Sequence, residues 1–198
     1  MKILVLLLLL QLSLGLSQQT FGACNPVVEP LQVGTVTDEA VSQGMKEIFD
    51  KDQSMRMEEP IDWAVVSKAD QEHRVEVMTF IKDGKLATAL DFYYAAFVFQ
   101  HGDCSDHYKL ANELADQSVK LGYSEAKWIY AASLDRYLLA IGEKQKFGTQ
   151  YTSTDGCTYT LEPVDPATTD VERAEYNVPS LVEAEERAKE IGGDCSIE

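Results

Sequence analysis

Basic residues are scarce in this chain: 17 Lys and Arg stand against 33 Asp and Glu, a formal charge of −16 over 198 residues. A face that neutralises nucleic-acid phosphate is thereby excluded, as is electrostatic adhesion to anionic lipid. Long apolar runs are also scarce. The longest, Ile3 to Leu16, is interrupted by Gln11, Ser13 and Gly15 and falls short of the roughly 20 residues that a membrane span needs. No Asn-x-Ser/Thr acceptor occurs, since Asn25 precedes Pro26 and neither Asn112 nor Asn177 has Ser or Thr two places on. The four cysteines form no C-x-x-C, which argues against a zinc ribbon or a redox pair. Nucleophile elbow, phosphate loop and H-E-x-x-H are all missing. Histidine is confined to His73, His101 and His107.

What the N-terminus does contain is an export signal. Met1-Lys2 gives a short positive start, an apolar core follows, and Gly15 and Ser17 place small side chains before Gln18. That pattern predicts a cleaved signal peptide over residues 1–17 and a secreted or otherwise extracytoplasmic protein. Phe21-Gly22-Ala23-Cys24 has the outline of a lipobox, so a lipid anchor on Cys24 is the alternative. An even count of cysteines in an exported chain predicts disulfides among Cys24, Cys104, Cys157 and Cys195. Spacing leaves three pairings open; the favoured one joins Cys104 to Cys157 and Cys24 to Cys195, tying down both chain ends.

Beyond the signal, residues 18–36 read as an irregular lead-in with Pro26, Pro30 and Gly34, and residues 37–198 as a single domain of ordinary apolar content. The fold class is mainly α, with antiparallel helical hairpins and one β-hairpin near the C-terminal third. Thr37-Asp38-Glu39 opens a helix to about Met55, with Ala40, Val41, Met45, Ile48 and Phe49 at helical spacing. Ser67 or Asp70 starts a second, carrying Val75, Met78, Phe80 and Ile81 and ending at Asp83-Gly84. Leu86 to Gln100 holds Tyr93, Tyr94, Phe97 and Phe99. Ser105 or Asp106 caps a further helix that stops at Gly122, and Ser124 caps the next, which stops at Gly142. Ala111, Ala115, Ala126 and Ala132 would let these two backbones approach, much as in a tetratricopeptide or Sel1-type unit. Such units need about three stacked copies, and one clear hairpin makes repeat-like packing, not a solenoid.

Past Gly142, Phe147 to Thr152 and Cys157 to Leu161 alternate around Ser153-Thr154-Asp155-Gly156, a β-hairpin pattern. Thr169-Asp170 caps a short helix to Tyr176, and Pro179-Ser180 introduces a last one to Ile191, stopped by Gly192-Gly193. Glu183, Glu185, Glu186 and Glu190 share that helix with Arg187 and Lys189 and read as a solvated face.

The polar residues that stand out are His101, Asp135, Arg136, Gln145, Thr149 and Gln150. Asp135 and Arg136 are adjacent in an apolar helix, so they cannot share one face and at least one must meet another element. Gly148 could bring its backbone close to a ligand or a helix. In order along the chain stand Gln100-His101-Gly102, Leu114-Ala115, Ala126-x-Trp128, Asp135-Arg136-x-Leu138 and Gln145-x-Phe147-Gly148-Thr149-Gln150. That series resembles a domain family of unknown function found in bacterial and some exported proteins, whose members show Gln-His-Gly, Asp-Arg and Tyr-Gly-Thr-Gln in the same order. The likeness spans about residues 65–185. Members often have a histidine after the alanine that matches Ala111, where this chain has Asn112. The resemblance implies a helical fold and a shared polar cluster, and implies no reaction.

Three roles suit the cluster. In one, Arg136 donates to carbonyls of the Gly-Thr-Gln segment and fixes the hairpin to the helices. In another, Arg136, Gln145, Thr149 and Gln150 line a pocket for a protein or small-molecule ligand. In the third, His101 is a general base and Arg136 an anion stabiliser in a small hydrolase, with Asp135 beside them. A binding or interaction module is the primary reading and the hydrolase the alternative. No cofactor is assigned. A metal site from His101, Asp103 and His107 is set aside because that stretch reads as a helix-to-helix turn, and His73, between Glu72 and Arg74, is expected in water.

Overall fold

Short polar side chains at extended backbone positions set most helix starts. The computed structural model describes Cys24, Pro26 and residues 30–191; the signal segment 1–17, Cys195 and Gly192-Gly193 lie outside the described residues. Helix α1 (Glu39–Met55) begins where Asp38 accepts from Ala40 N and Val41 N. Helix α2 (Trp63–Lys82) starts earlier than Ser67 or Asp70, because the Asp62 carboxylate caps it in the same way. Thr88 and Asp91 form a reciprocal capping box for α3 (Ala89–Gln100).

The caps expected at Ser105, Asp106 and Ser124 do not form. Helix α4 (Ser105–Lys120) starts at Cys104 and α5 (Ala126–Ala140) at Glu125, neither with a side-chain cap. Backbone carbonyls take over: Tyr123 O and Ser124 O accept from Ala126 N and Lys127 N at 3.2 and 3.1 Å. With α5 entered through a continuous turn, its first amides are satisfied without the serine hydroxyl.

Helices α1 to α5 share one core. Its middle is α3, apolar on every side, with Phe92, Ala95, Ala96, Val98 and Phe99 all buried. Ala111, Ala115, Ala126 and Ala132 are buried where α4 and α5 meet, as their size predicts. Along α2 the buried stripe is Val66, Ala69, Asp70, His73, Arg74, Val77 and Ile81, so His73 lies inside the bundle and not in water. Val75 is 69 % exposed for the same reason: it sits off that stripe.

The C-terminal third is built on a smaller core of Ala131, Phe147 and Val178, flanked by Tyr130, Leu134 and Tyr176. Strands β1 (Tyr151–Ser153) and β2 (Tyr159–Leu161) pair antiparallel, Tyr151 opposite Leu161 and Ser153 opposite Tyr159. The ladder is shorter than the alternation suggests. Residues 147–150 wrap instead around a helix side chain, and the Cys157 and Thr158 amides donate to Asp155 Oδ1 within the loop. Helix α6 (Asp170–Glu175) is capped by Thr169, and α7 (Leu181–Ile191) closes the described chain. No helix among the described residues is long and apolar enough to cross a membrane.

Cys24 is bonded to Cys104, with Cα atoms 6.3 Å apart, which replaces the favoured pairing. Pro26 lines a groove together with Phe99 and His107, which sets Cys24 beside the start of α4. Cys157 is disulfide-bonded as well. A Cys24 sulfur engaged in this bond has no thiol to carry a lipid.

Candidate functional site

Asp135 and Arg136 leave α5 in different directions, as adjacent helical residues must. Asp135 is fully buried. Its Oδ1 accepts from Lys146 N at 2.7 Å and Phe147 N at 2.8 Å, and its Oδ2 from Thr149 N at 3.0 Å and Thr149 Oγ1 at 2.8 Å. Burial raises its carboxyl above the usual range, while these four donors pull the other way. The loop closes on this carboxylate because Gly148 sits at φ +86°, a backbone state that favours glycine. A side-chain carbon there would meet its nearest neighbour, Val164, only at 3.6 Å. Conformation, then, and not a tight approach to a ligand or helix, accounts for the glycine.

Gln145, also fully buried, holds the base of the ribbon. Its Nε2 donates to Gln150 O and Glu162 O at 3.1 and 2.8 Å, and its Oε1 accepts from Gln150 N at 2.9 Å. Its own N–H and carbonyl bond Pro163 O and Asp165 N. Arg173 completes the frame, giving Nε to Phe147 O at 2.9 Å and Nη1 to Thr168 O at 3.0 Å. The arginine that fixes the Gly-Thr-Gln segment is therefore Arg173, and on α5 the task falls to Asp135, not Arg136. Replacing Gln145 by Leu should cost about 2 kcal/mol, since it strands Glu162 O and Gln150 N–H, while Gln150 O keeps the Glu162 amide; urea denaturation followed by circular dichroism reads this directly.

Arg136 points elsewhere. With Tyr108, Leu139, Ala140, Gln150, Tyr151 and Glu162 it lines an open depression of about 350 Å³ between the α4–α5 pair and the ribbon. Its Nε is buried and without a hydrogen-bond partner. No carboxylate of the described residues pairs with the guanidinium, Glu162 included. Burial, and then the neighbouring positive charge of Arg56, lower its pKa from the ordinary guanidinium value. The other arginines that are buried or half-buried differ: Arg56 grips Asp52 and Asp70, Arg74 bonds His101 O at 2.9 Å, and Arg173, although its Nη2 is also unpaired, is held by three other hydrogen bonds. Arg187 lacks a partner too, but it is exposed to water.

Gln150 reaches the same depression while its amide nitrogen contacts Thr149 Oγ1 at 2.9 Å and Ala132 O at 3.4 Å. Thr149 is committed to Asp135. His101 does not line the depression. It ends α3 and sets Nε2 3.5 Å from Asp52 Oδ2, in a buried group with Asp70, His73 and Arg56. Burial, then the charges of Arg56, Arg136 and Arg74, push its imidazole down to about 3, and burial pushes Asp52 up to about 6. His107 pairs with Asp103 at 3.0 Å, away from His101, so those three residues do not converge.

Sequence reasoning missed Asp52, Asp70 and Arg56, and placed His73 wrongly. A signal existed: Val41, Met45, Ile48 and Asp52 continue one helical stripe, and so do Ala69, Asp70, His73 and Val77. A search for apolar letters alone stops before the polar ones.

A larger and more apolar groove of about 520 Å³ lies along α2 and the start of α4, lined by Val75, Met78 and Phe99. Of its charged lining residues, Arg74 and His107 already have partners, and Lys82 is exposed to water. A third depression, of about 640 Å³ and lined by Trp128, Thr149, Tyr151 and Arg187, has no buried unpaired group. Comparison with protein-family profiles, with curated proteins and with solved structures finds no match to this chain.

Proposed function

We propose that this protein is an exported binding module, and that Arg136 receives a carboxylate or another planar anionic group of its ligand in the depression beside the β-ribbon. One observation carries the reading: Arg136 keeps a buried guanidinium nitrogen unpaired at an open depression, in an acidic chain where no carboxylate of the described residues is recruited to it. Leaving a buried charge unpaired is costly unless a partner arrives. A guanidinium presents five donors in a flat fork that matches a carboxylate. Tyr108 and Tyr151 give the depression aromatic walls for the rest of a ligand.

The hydrolase alternative needs a base near neutral pKa at the same place as the anion site. His101 lies off the depression, with its imidazole held at about 3. The binding reading is better supported for that reason.

The test uses isothermal titration with N-acetylglycine and with inorganic phosphate as probes. Wild type should bind one equivalent, Arg136→Lys about tenfold more weakly, and Arg136→Met not measurably. Because the unliganded guanidinium is an uncompensated burial, Arg136→Met should also melt no lower than wild type and gain about 1 kcal/mol. A marked loss of stability in that variant would show the arginine to be part of the frame and end the proposal.

A further inference from the structure

The end of α1 carries a second polar constellation, none of whose members lines the Arg136 depression. Asp52 of α1 faces Asp70 and His73 of α2, one ligand-type atom from each lying within 4.8 Å of the other two, all buried. His101, from the end of α3, adds its Nε2 at 3.5 Å from Asp52 Oδ2. Two carboxylates and two imidazoles thus meet at the contact of three helices.

The only side-chain cation hydrogen-bonded to these carboxylates among the described residues is Arg56. Its Nη2 lies 2.8 Å from both oxygens of Asp70, and its Nη1 3.1 Å from Asp52 Oδ1. Gln53 Nε2 donates to Asp52 Oδ2 at 2.7 Å. These bonds hold both carboxylates in place.

A separate observation concerns His73. The residue is 5 % exposed, and its Nδ1 has no hydrogen-bond partner. That nitrogen lies 4.0 Å from Asp52 Oδ1. Buried imidazole nitrogens are ordinarily satisfied, and this separation is too long for a hydrogen bond. It is a span that two metal–ligand bonds of about 2.0–2.2 Å can bridge at a wide angle.

We propose that Asp52, Asp70 and His73, with His101 on the fourth side, form a buried site for one divalent transition-metal ion of the zinc class. The donor set decides the class. Nitrogen ligands and the small number of oxygens disfavour calcium and magnesium, which take six or more oxygen ligands or retain waters. Absence of thiolate in the set disfavours copper(I). Imidazole with carboxylate is a zinc, manganese or iron(II) set. In the loaded protein, Arg56 would give up part of its two-oxygen grip on Asp70 to the ion and keep one hydrogen bond to each carboxylate, the outer support that ligating carboxylates commonly require. Entry is from the α1 end, where the Arg56 and His101 side chains are 17 % and 18 % exposed. An ion here would clamp α1, α2 and the α3 terminus together.

The experiment titrates zinc chloride into the EDTA-stripped, dialysed full chain by calorimetry, with metal content checked by mass spectrometry after a second dialysis. One retained equivalent is expected, with micromolar or tighter affinity. His73→Gln should weaken it at least about 100-fold, as loss of a ligand must exceed the 10- to 100-fold typical of an outer-shell partner. His107→Gln should leave it unchanged, which separates this site from the Cys24, Cys104 and His107 group. Should a variant fail to fold, the histidine Cε1–H resonances of wild type give the same answer: zinc should shift those of His73 and not of His107. Retention of no stoichiometric zinc, or equal affinity in His73→Gln, would show the constellation to be an ion network only.

Discussion

Asp135→Ala should destabilise the protein by about 4 kcal/mol, lowering the melting temperature by about 8–16 °C for a domain of this size. The substitution removes the acceptor of four hydrogen bonds at once, from Lys146 N, Phe147 N, Thr149 N and Thr149 Oγ1. The Phe147 amide bond is fully buried and has no water to turn to, and the other donors are partly buried. Each stranded donor costs about 1–3 kcal/mol. Against this, a carboxylate that burial disfavours is lost, which returns part of the sum. The threonine hydroxyl can also rotate. Asp135→Asn keeps one accepting oxygen but turns an amide group toward further donors, so about half the loss should remain. Thr149→Val deletes two bonds, the one its hydroxyl donates to Asp135 Oδ2 and the one it accepts from Gln150 Nε2, and should cost about 1–2 kcal/mol. Urea denaturation gives the ordering, and hydrogen exchange at the Lys146, Phe147 and Thr149 amides gives the location. A loss below about 1 kcal/mol for Asp135→Ala would mean the loop holds its shape without the helix.

The consequence reaches the candidate site. Gln150 and Tyr151 line the Arg136 depression only because the segment before them is strung over Asp135. Asp135 variants should therefore lose probe binding along with stability, whereas Arg136→Met separates the two.

This pair of neighbours shows what a sequence discloses. Divergence of Asp135 and Arg136 follows from helical geometry and is visible in the letters. Which of them takes the interior is not, because that depends on what the chain brings back ten residues later. An N–H-rich loop suits a carboxylate, and the loop's N–H groups turn inward only once Gly148 adopts its left-handed state. Helix ends were readable where a side chain does the capping, as at Asp38 and Thr169. They were misread where backbone continuity suffices, as at Ser124. The small residues between α4 and α5 were legible since size alone decides their place. Asp52, Asp70 and His73 were hidden since burial there follows helical phase and overrides polarity. The Cys24–Cys104 bond was one of three pairings that spacing cannot rank.

In metal-free protein, the stability advantage of wild type over His101→Gln should shrink by about 4 kcal/mol as pH falls from 7 to 3. The His101 imidazole is held at about 3 in the fold, against an ordinary value of 6.5, first by burial and then by Arg56, Arg136 and Arg74. A folded pKa below the unfolded one means that the unfolded chain takes up the proton first. The stabilisation is therefore complete above pH 6.5 and is lost progressively as pH drops through the folded value. Each unit is worth about 1.4 kcal/mol, so about 2–3 kcal/mol goes by pH 4.5. Asp52 runs the other way. Burial lifts its carboxyl from 3.8 to about 6, so its contribution is complete below 3.8 and is lost as pH rises through 6. The two slopes oppose each other between about pH 4 and 6, and the wild-type profile is flattened there. Single substitutions expose them: His101→Gln should gain on wild type in acid, and Asp52→Asn should lose ground in acid by about 3 kcal/mol. Denaturation midpoints at pH 7, 5.5 and 4.5 with EDTA present distinguish the slopes. Parallel profiles for wild type and His101→Gln would place the imidazole in water and remove the physical basis for a closed polar constellation at the end of α1.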